Sequence, residues 1–224
     1  MYVTIPTTGA DIAPSPIFAK TKPNQSRTHL KAGSYLYYEG DEAEWLYLVA
    51  TGVLRLTRLL EDGRRQVIAF GYPGDVVGFP SEGLYHADCD ALVDTELQPF
   101  SVSCLEGNCR SKETHQQLLH AALREISGMQ DHFMMLGRKS ASEKVASFLC
   151  VLTDRVGRKN GDYSEVDLPM KRADIADFLG LTTETVCRTL SQMRRDGIIA
   201  IDNIHTIIVL SPTRLVDLSL GDGD

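Results

Sequence analysis

The chain has 224 residues, 43% apolar and 24% charged. That is enough apolar material for a packed core, and it excludes a wholly disordered chain. Its 23 basic and 30 acidic residues leave a net charge of −7, which argues against a general nucleic-acid coat, since phosphate binding leaves a basic footprint.

The length suits one large domain or two modest ones, at roughly 100–200 residues each. No run reaches about 18 apolar residues, so no membrane partner is expected. Residues 1–17 lack a basic segment followed by an apolar one, so no signal peptide is expected and the location implied is cytoplasmic. Cys89, Cys104, Cys109, Cys150 and Cys187 are odd in number, so free thiols are expected instead of a disulfide framework.

Residues 1–27 are rich in Pro, Thr, Ser and Ala and show no period, which predicts a flexible arm. Over 28–110, short β-rich runs alternate with closely spaced glycines. The runs include 34–38, 45–49, 53–58 and 65–70, and Glu61 to Arg64 reads as a hairpin turn. Short antiparallel strands with frequent turns predict a jelly-roll β-barrel.

The period switches over 111–139. Leu119, Ala122, Ile126, Met129, Phe133 and Leu136 step by 3, 4, 3, 4, 3, an a/d seam of a long helix. Two readings stand: a helix pairing with its twin in a homodimer, or one face packed on its own domain. The helix's length and its place between two domains in the sequence favour pairing. Gly128 and Gly137 weaken it locally, and Gly137 lies where a hinge would be useful. From 140 to 224 the chain is expected to form one further domain. It begins with an amphipathic helix over 140–155, a polar loop over 156–166 and a short strand over 166–169.

Residues 171–197 carry the chemistry. A helix over 171–179 is followed by Gly180, suited to a turn needing positive φ, and by Thr182, a helix N-cap for 183–196. Val186, Leu190 and Met193 give that second helix its inner face. This is a helix-turn-helix. Two short strands around Asp202 to His205 add a wing. The overall expectation is an α+β chain: jelly-roll barrel, long dimerisation helix, C-terminal winged helix-turn-helix.

An enzyme's helical hairpin would share that apolar spacing, so the outer face decides. It carries Thr183, Glu184, Thr185, Cys187 and Arg188, then Arg194 and Arg195. Glu184 and Arg188 are four apart, which allows either a surface ion pair or base readout. In readout, Arg188 offers a fork to guanine O6 and N7, and Glu184 accepts from cytosine N4. Lys171 and Arg172 open the first helix, which crosses the DNA backbone in this motif. Thr182, Thr185, Arg194 and Arg195 complete the expected phosphate contacts.

This architecture resembles the cyclic-AMP receptor protein/FNR superfamily of bacterial transcription regulators over about residues 28–218. The stretch Gly180 to Arg188 looks most like the FNR and FixK branches. The resemblance implies a homodimer reading an inverted repeat of TTGA-type half-sites on double-stranded DNA. It further implies an activator that contacts RNA polymerase and answers oxygen limitation or nitrogen oxides. Glu184 and Arg188 occupy the branch's Glu and Arg positions, whereas Cys187 stands where Ser is usual. Thr183 stands where the cyclic-AMP branch has a further base-contacting Arg.

Cyclic-nucleotide members carry a Gly-Glu and then an Arg-containing segment inside the roll. Here Phe79 follows Gly78 and no Arg lies in 84–88. The iron–sulfur members use an N-terminal cysteine group, and this chain has no cysteine before Cys89. No cofactor and no metal are therefore expected. The alternatives are an effector-gated sensor with haem (His86, His115, His120 or His132) or another ligand in the roll, and a ligand-binding module using its helix-turn-helix for protein contacts. No nucleophile-and-base or metal-ligand pattern suggests an enzyme. Cys187 on the reading face is either a small residue standing in for Ser or a redox switch. Oxidation to a sulfinate would set negative charge against DNA.

Overall fold

Two four-stranded antiparallel sheets face each other in the N-terminal part of the chain. The computed structural model describes residues 27–109 and 111–221. Apart from Arg27, the arm expected over 1–27 lies outside the described residues. The first sheet has the order β1 (Thr28–Leu30), β8 (Thr95–Ser101), β3 (Trp45–Thr51), β6 (Val76–Val77). The second has the order β2 (Tyr35–Tyr37), β7 (Asp88–Ala91), β4 (Leu54–Leu59), β5 (Arg65–Gly71). Alternation along the strands sends Val49, Leu54, Leu56 and Leu97 into the shared core. Each such side chain, once fully buried, stabilises the fold by about 1.5–3 kcal/mol.

The expected turn joins β4 to β5. Gly63 takes φ +81°, Leu60 and Arg64 close the turn through Leu60 N donating to Arg64 O at 2.8 Å, and Asp62 accepts from Arg64 N at 3.0 Å. β7 was not anticipated, because Asp-Cys-Asp-Ala has no apolar alternation. Its charge is matched across the ladder: Asp90 stands opposite Arg55 and receives two hydrogen bonds from it, at 3.0 and 2.9 Å.

Cys104 and Cys109 correct an expectation: they form a disulfide, with Cα atoms 4.4 Å apart. A one-turn 3-10 helix at Val102–Glu106 ends on Gly107 at φ +88°, which folds the chain back on itself. Spacing alone carries no information about that reversal.

The helix α1 spans Lys112–Arg138 and runs through both predicted weak points. The described chain divides into two compact units at Ser127 and Gly128, inside this helix. In the first unit, Leu118 and Ala121 pack with Leu46, Leu48, Val76 and Phe100.

In the second unit, α2 (Ala141–Val156) starts with a capping box. Ser140 Oγ accepts from Glu143 N, and Glu143 Oε2 accepts from Ser140 N at 2.6 Å. The polar stretch 156–166, expected as a loop, forms instead a hairpin of β9 (Arg158–Asn160) and β10 (Tyr163–Asp167). Gly161 supplies φ +63°, and Arg158 on β9 bonds Asp167 at 2.5 Å. β9 is exposed and charge-paired, and the buried positions of β10 are Ser164 and Val166, so little apolar period is left to read. The two wing strands are β11 (Ile199–Asn203) and β12 (Thr206–Val209), and the sheet order is β11-β12-β10-β9. The last helix, α5 (Pro212–Leu220), packs on α2. Lys139 ties the ends together, donating to Ser147 Oγ at 2.8 Å and to Ser219 O at 2.6 Å.

Candidate nucleic-acid interface

α3 (Arg172–Leu179) and α4 (Thr183–Arg195) form the helix-turn-helix. Ile175, Phe178 and Leu179 of α3 and Val186, Leu190 and Met193 of α4 are all buried. Gly180 takes φ +62°, and the turn closes as Leu181 N donates to Ala176 O at 2.9 Å. The left-handed conformation costs an L-residue about 1–2 kcal/mol, which is why glycine belongs there. Asp174 is buried and accepts from Lys171 N at 3.0 Å, fixing the start of α3.

Thr182 caps α4, its Oγ1 accepting from Thr185 N at 3.1 Å. The two hydroxyls also bond each other at 2.8 Å. The Thr182 cap is the one expected from the sequence and is worth about 1 kcal/mol; capping leaves the expected phosphate role of both threonines open to test.

Thr183, Glu184, Cys187 and Arg188 lie together on the exposed side of α4. Among the described residues, neither the Glu184 carboxylate nor the Arg188 guanidinium has a hydrogen-bond or ion-pair partner. The surface i,i+4 pair is therefore not formed, and both groups keep their hydrogen-bonding capacity. Arg194 and Lys171 are exposed as well. Arg195 is held by Gln192 Oε1 at 2.5 Å, while Gln192 Nε2 donates to Asp196 Oδ1 at 2.9 Å. Gln192 thus orients Arg195, a role that sequence reasoning missed, although the spacing of three along a helix was the available signal.

Arg172 differs from the other cations. It is half-buried, and its Nη1 is enclosed without a hydrogen-bond partner among the described residues. Burial lowers its pKa from the ordinary value, and nearby Cys187 pulls the other way. A partly desolvated guanidinium gains most when an anion approaches.

The second group of interest lies on α1. Leu119, Ile126, Met129 and Phe133 are exposed, Phe133 at 75%, while Ala122 and Leu136 are half-buried. Leu123 and Met134, absent from the predicted seam, widen the stripe. Both flank a/d positions, where a 3.6-residue helix broadens an apolar face. A different face is buried: His132 stacks on Phe178 of α3 with ring centroids 4.3 Å apart. Burial pulls the His132 pKa down to about 4, with Lys144 pushing the same way.

The remaining histidines weighed as haem ligands are scattered. His86 and His120 are exposed, and His115 Nδ1 contacts Cys104 O at 2.5 Å. Among the described residues, no group of three or more His, Cys, Asp or Glu could hold a metal.

Inside the roll, Tyr85 stacks on Tyr37 with centroids 3.7 Å apart and donates its hydroxyl to Trp45 O at 2.7 Å. Gly78 takes φ +91°, and a Cβ there would meet Trp45 O at 3.0 Å and Tyr85 at 3.2 Å. Residues 81–84 form a tight reversal in which Ser81 and Leu84 exchange backbone hydrogen bonds. The segment after Gly78 therefore turns an aromatic ring inward.

Comparison with known proteins matches residues 27–108 to the cyclic nucleotide-binding domain and residues 143–218 to the Crp-like helix-turn-helix domain. The nitrogen fixation regulation protein FixK of Bradyrhizobium diazoefficiens is 41% identical over 198 residues, covering 86% of this chain and 81% of the relative. The transcriptional activator protein FnrL of Cereibacter sphaeroides is 35% identical over 200 residues, covering 87% and 80%. The solved structure of FixK2 from Bradyrhizobium japonicum superposes with a TM-score of 0.78 at 36% identity, covering 86% of this chain and 96% of that one.

Proposed function

Because the chain belongs to the CRP/FNR family of transcription regulators, within its FixK/FNR branch, we propose that it is a homodimer that reads an inverted-repeat DNA site of TTGA-type half-sites. The observation that carries this reading is the exposed pair of Glu184 and Arg188 on α4, without partners among the described residues. Arg188 forks onto guanine O6 and N7, and Glu184 accepts from cytosine N4. Lys171, Arg172 and Arg194 meet phosphates, with Arg195 presented by Gln192. Thr182 and Thr185 act through the cap, and Thr183 and Cys187 border the reading pair.

The stripe of Leu119, Ile126, Met129 and Phe133 supports a second copy as its cover. A parallel pair of α1 helices buries these side chains and sets two α4 helices about 34–36 Å apart, one helical turn of DNA. The regulator so formed works in the cytoplasm as an activator that engages RNA polymerase, with oxygen limitation or nitrogen oxides as the signal class. The Tyr37–Tyr85 stack favours a roll that works without a bound effector.

The test is fluorescence anisotropy with a TTGA-N6-TCAA duplex and a scrambled duplex of equal length. The expected preference is about 10³-fold or more at physiological salt. Equal affinity for both duplexes would remove the reading and favour a helix-turn-helix used for protein contacts.

A further inference from the structure

We propose that Cys104 and Cys109 are a reversible thiol–disulfide site that clamps the start of α1 to the β-roll. This rests on the proposed function. A protein acting on DNA in the cytoplasm works where thiols are held reduced, so a disulfide there is transient and sensing, not a permanent staple.

Three observations carry it. The cysteines are five positions apart and already bridged, with Cα atoms at 4.4 Å. Closing so short a loop costs little entropy, which gives each thiol a high effective concentration of the other. Both are only half-buried, open to a small thiol reagent. Cys89 is fully buried, and burial pushes the Cys150 thiol up to about 11. Finally, one side of the loop is fastened to α1. His115, on the first turn, donates from Nδ1 to Cys104 O at 2.5 Å, since a carbonyl only accepts. Cys104 and Leu105 pack against the cluster containing Leu118 and Ala121. The bridge adds Cys109, three residues before the helix, to that fastening.

The oxidant class is a low-molecular-weight disulfide such as glutathione disulfide. One cysteine thiolate attacks it, forming a mixed disulfide and releasing one glutathione thiolate. The second cysteine, as thiolate, attacks the protein sulfur of that mixed disulfide. The Cys104–Cys109 bond forms and the second glutathione thiolate leaves. The protein loses two electrons and two protons, and the oxidant becomes two glutathione thiols. Reduction runs the same steps backwards.

The test equilibrates the full chain in a series of glutathione buffers, then quenches with acid and alkylates free thiols. Peptide mass spectrometry reads the Cys104–Cys109 bridge, and hydrogen exchange reads residues 102–118. The expected bridged fraction runs from near zero to near complete across the series, and it vanishes in Cys104→Ser and in Cys109→Ser. Opening raises exchange over 102–118 by roughly tenfold and leaves β3 and β8 unchanged. The proposal is overturned if the pair never bridges in oxidised buffer, never opens in reduced buffer, or exchanges equally in both states. Operator binding measured on the same samples separates the two readings: no site preference in either redox state sinks the DNA-binding function, whatever the thiols do.

Discussion

At the scale of single residues, the proposed interface assigns some groups to bases, some to phosphates and some to holding the others in place. Arg188→Ala is expected to cost about 1–3 kcal/mol of binding and to relax discrimination at the guanine. Arg194→Ala should weaken all sequences alike and reduce the salt slope by about one. Anisotropy titrations across a salt series on matched and single-base-altered duplexes distinguish the two patterns. His132 gives a separate prediction. Its folded pKa near 4 lies below the ordinary 6.5, so the folded state resists protonation. The full contribution to stability is present above about pH 6.5 and is lost as pH falls through about 4. The loss attributable to this group is about 3 kcal/mol. Urea unfolding from pH 7 to pH 4 checks it, and His132→Phe, which retains an aromatic ring against Phe178, should flatten that part of the profile. Residue identity announced Glu184 and Arg188, since their types and spacing bear the chemistry. It named Arg172 and His132 but not their burial, which comes from residues distant in sequence.

At the scale of elements, local patterns were legible wherever the period was strong. The helices α3 and α4, the turn at Gly180 and the hairpin at Gly63 stand within a residue or two of expectation. Gly180→Ala should destabilise the protein by about 1–2 kcal/mol, because alanine meets the left-handed penalty there. Thermal unfolding would read the stability loss, and operator affinity should fall with it as α4 tilts. An unchanged melting temperature would show that the turn relaxes freely. The elements that escaped notice are β7, the β9–β10 hairpin apart from the end of β10, where a strand over 166–169 was expected, and α5. The first is held by the Arg55–Asp90 pair, the second by Arg158 with Asp167, and the third by packing on α2. None of these contacts leaves a period in the local sequence. The apolar stripe of α1 was legible at its a/d positions but not at Leu123 and Met134. Phe133→Glu should place a charge in the stripe proposed to pair with a second copy and shift the protein to monomer, read by analytical ultracentrifugation, with loss of operator binding in step.

For the whole molecule, a net charge of −7 coexists with five basic residues on or beside the helix-turn-helix: Lys171, Arg172, Arg188, Arg194 and Arg195. If the proposed function holds, the excess of acids restrains nonspecific binding and affinity depends on few contacts. The buried Tyr37–Tyr85 stack gives a last prediction: purified protein, colourless and without added ligand, should bind the operator fully, and cyclic nucleotide should not change its affinity. A visible absorbance band, or an affinity rising with added nucleotide, would instead identify an effector-gated sensor. The sequence by itself determined the succession of β-rich part, long helix and helix-turn-helix, and the residue types on the outer face of the second helix of that motif. Those features follow from backbone period, turn chemistry and side-chain functional groups, all of which act locally along the chain. Only the tertiary structure decided that Glu184 and Arg188 leave each other unpaired, that Tyr85 stacks on Tyr37 inside the roll and that Cys104 meets Cys109. Each of those outcomes depends on which surfaces are brought together and which are left to solvent, and that is set by packing across the fold.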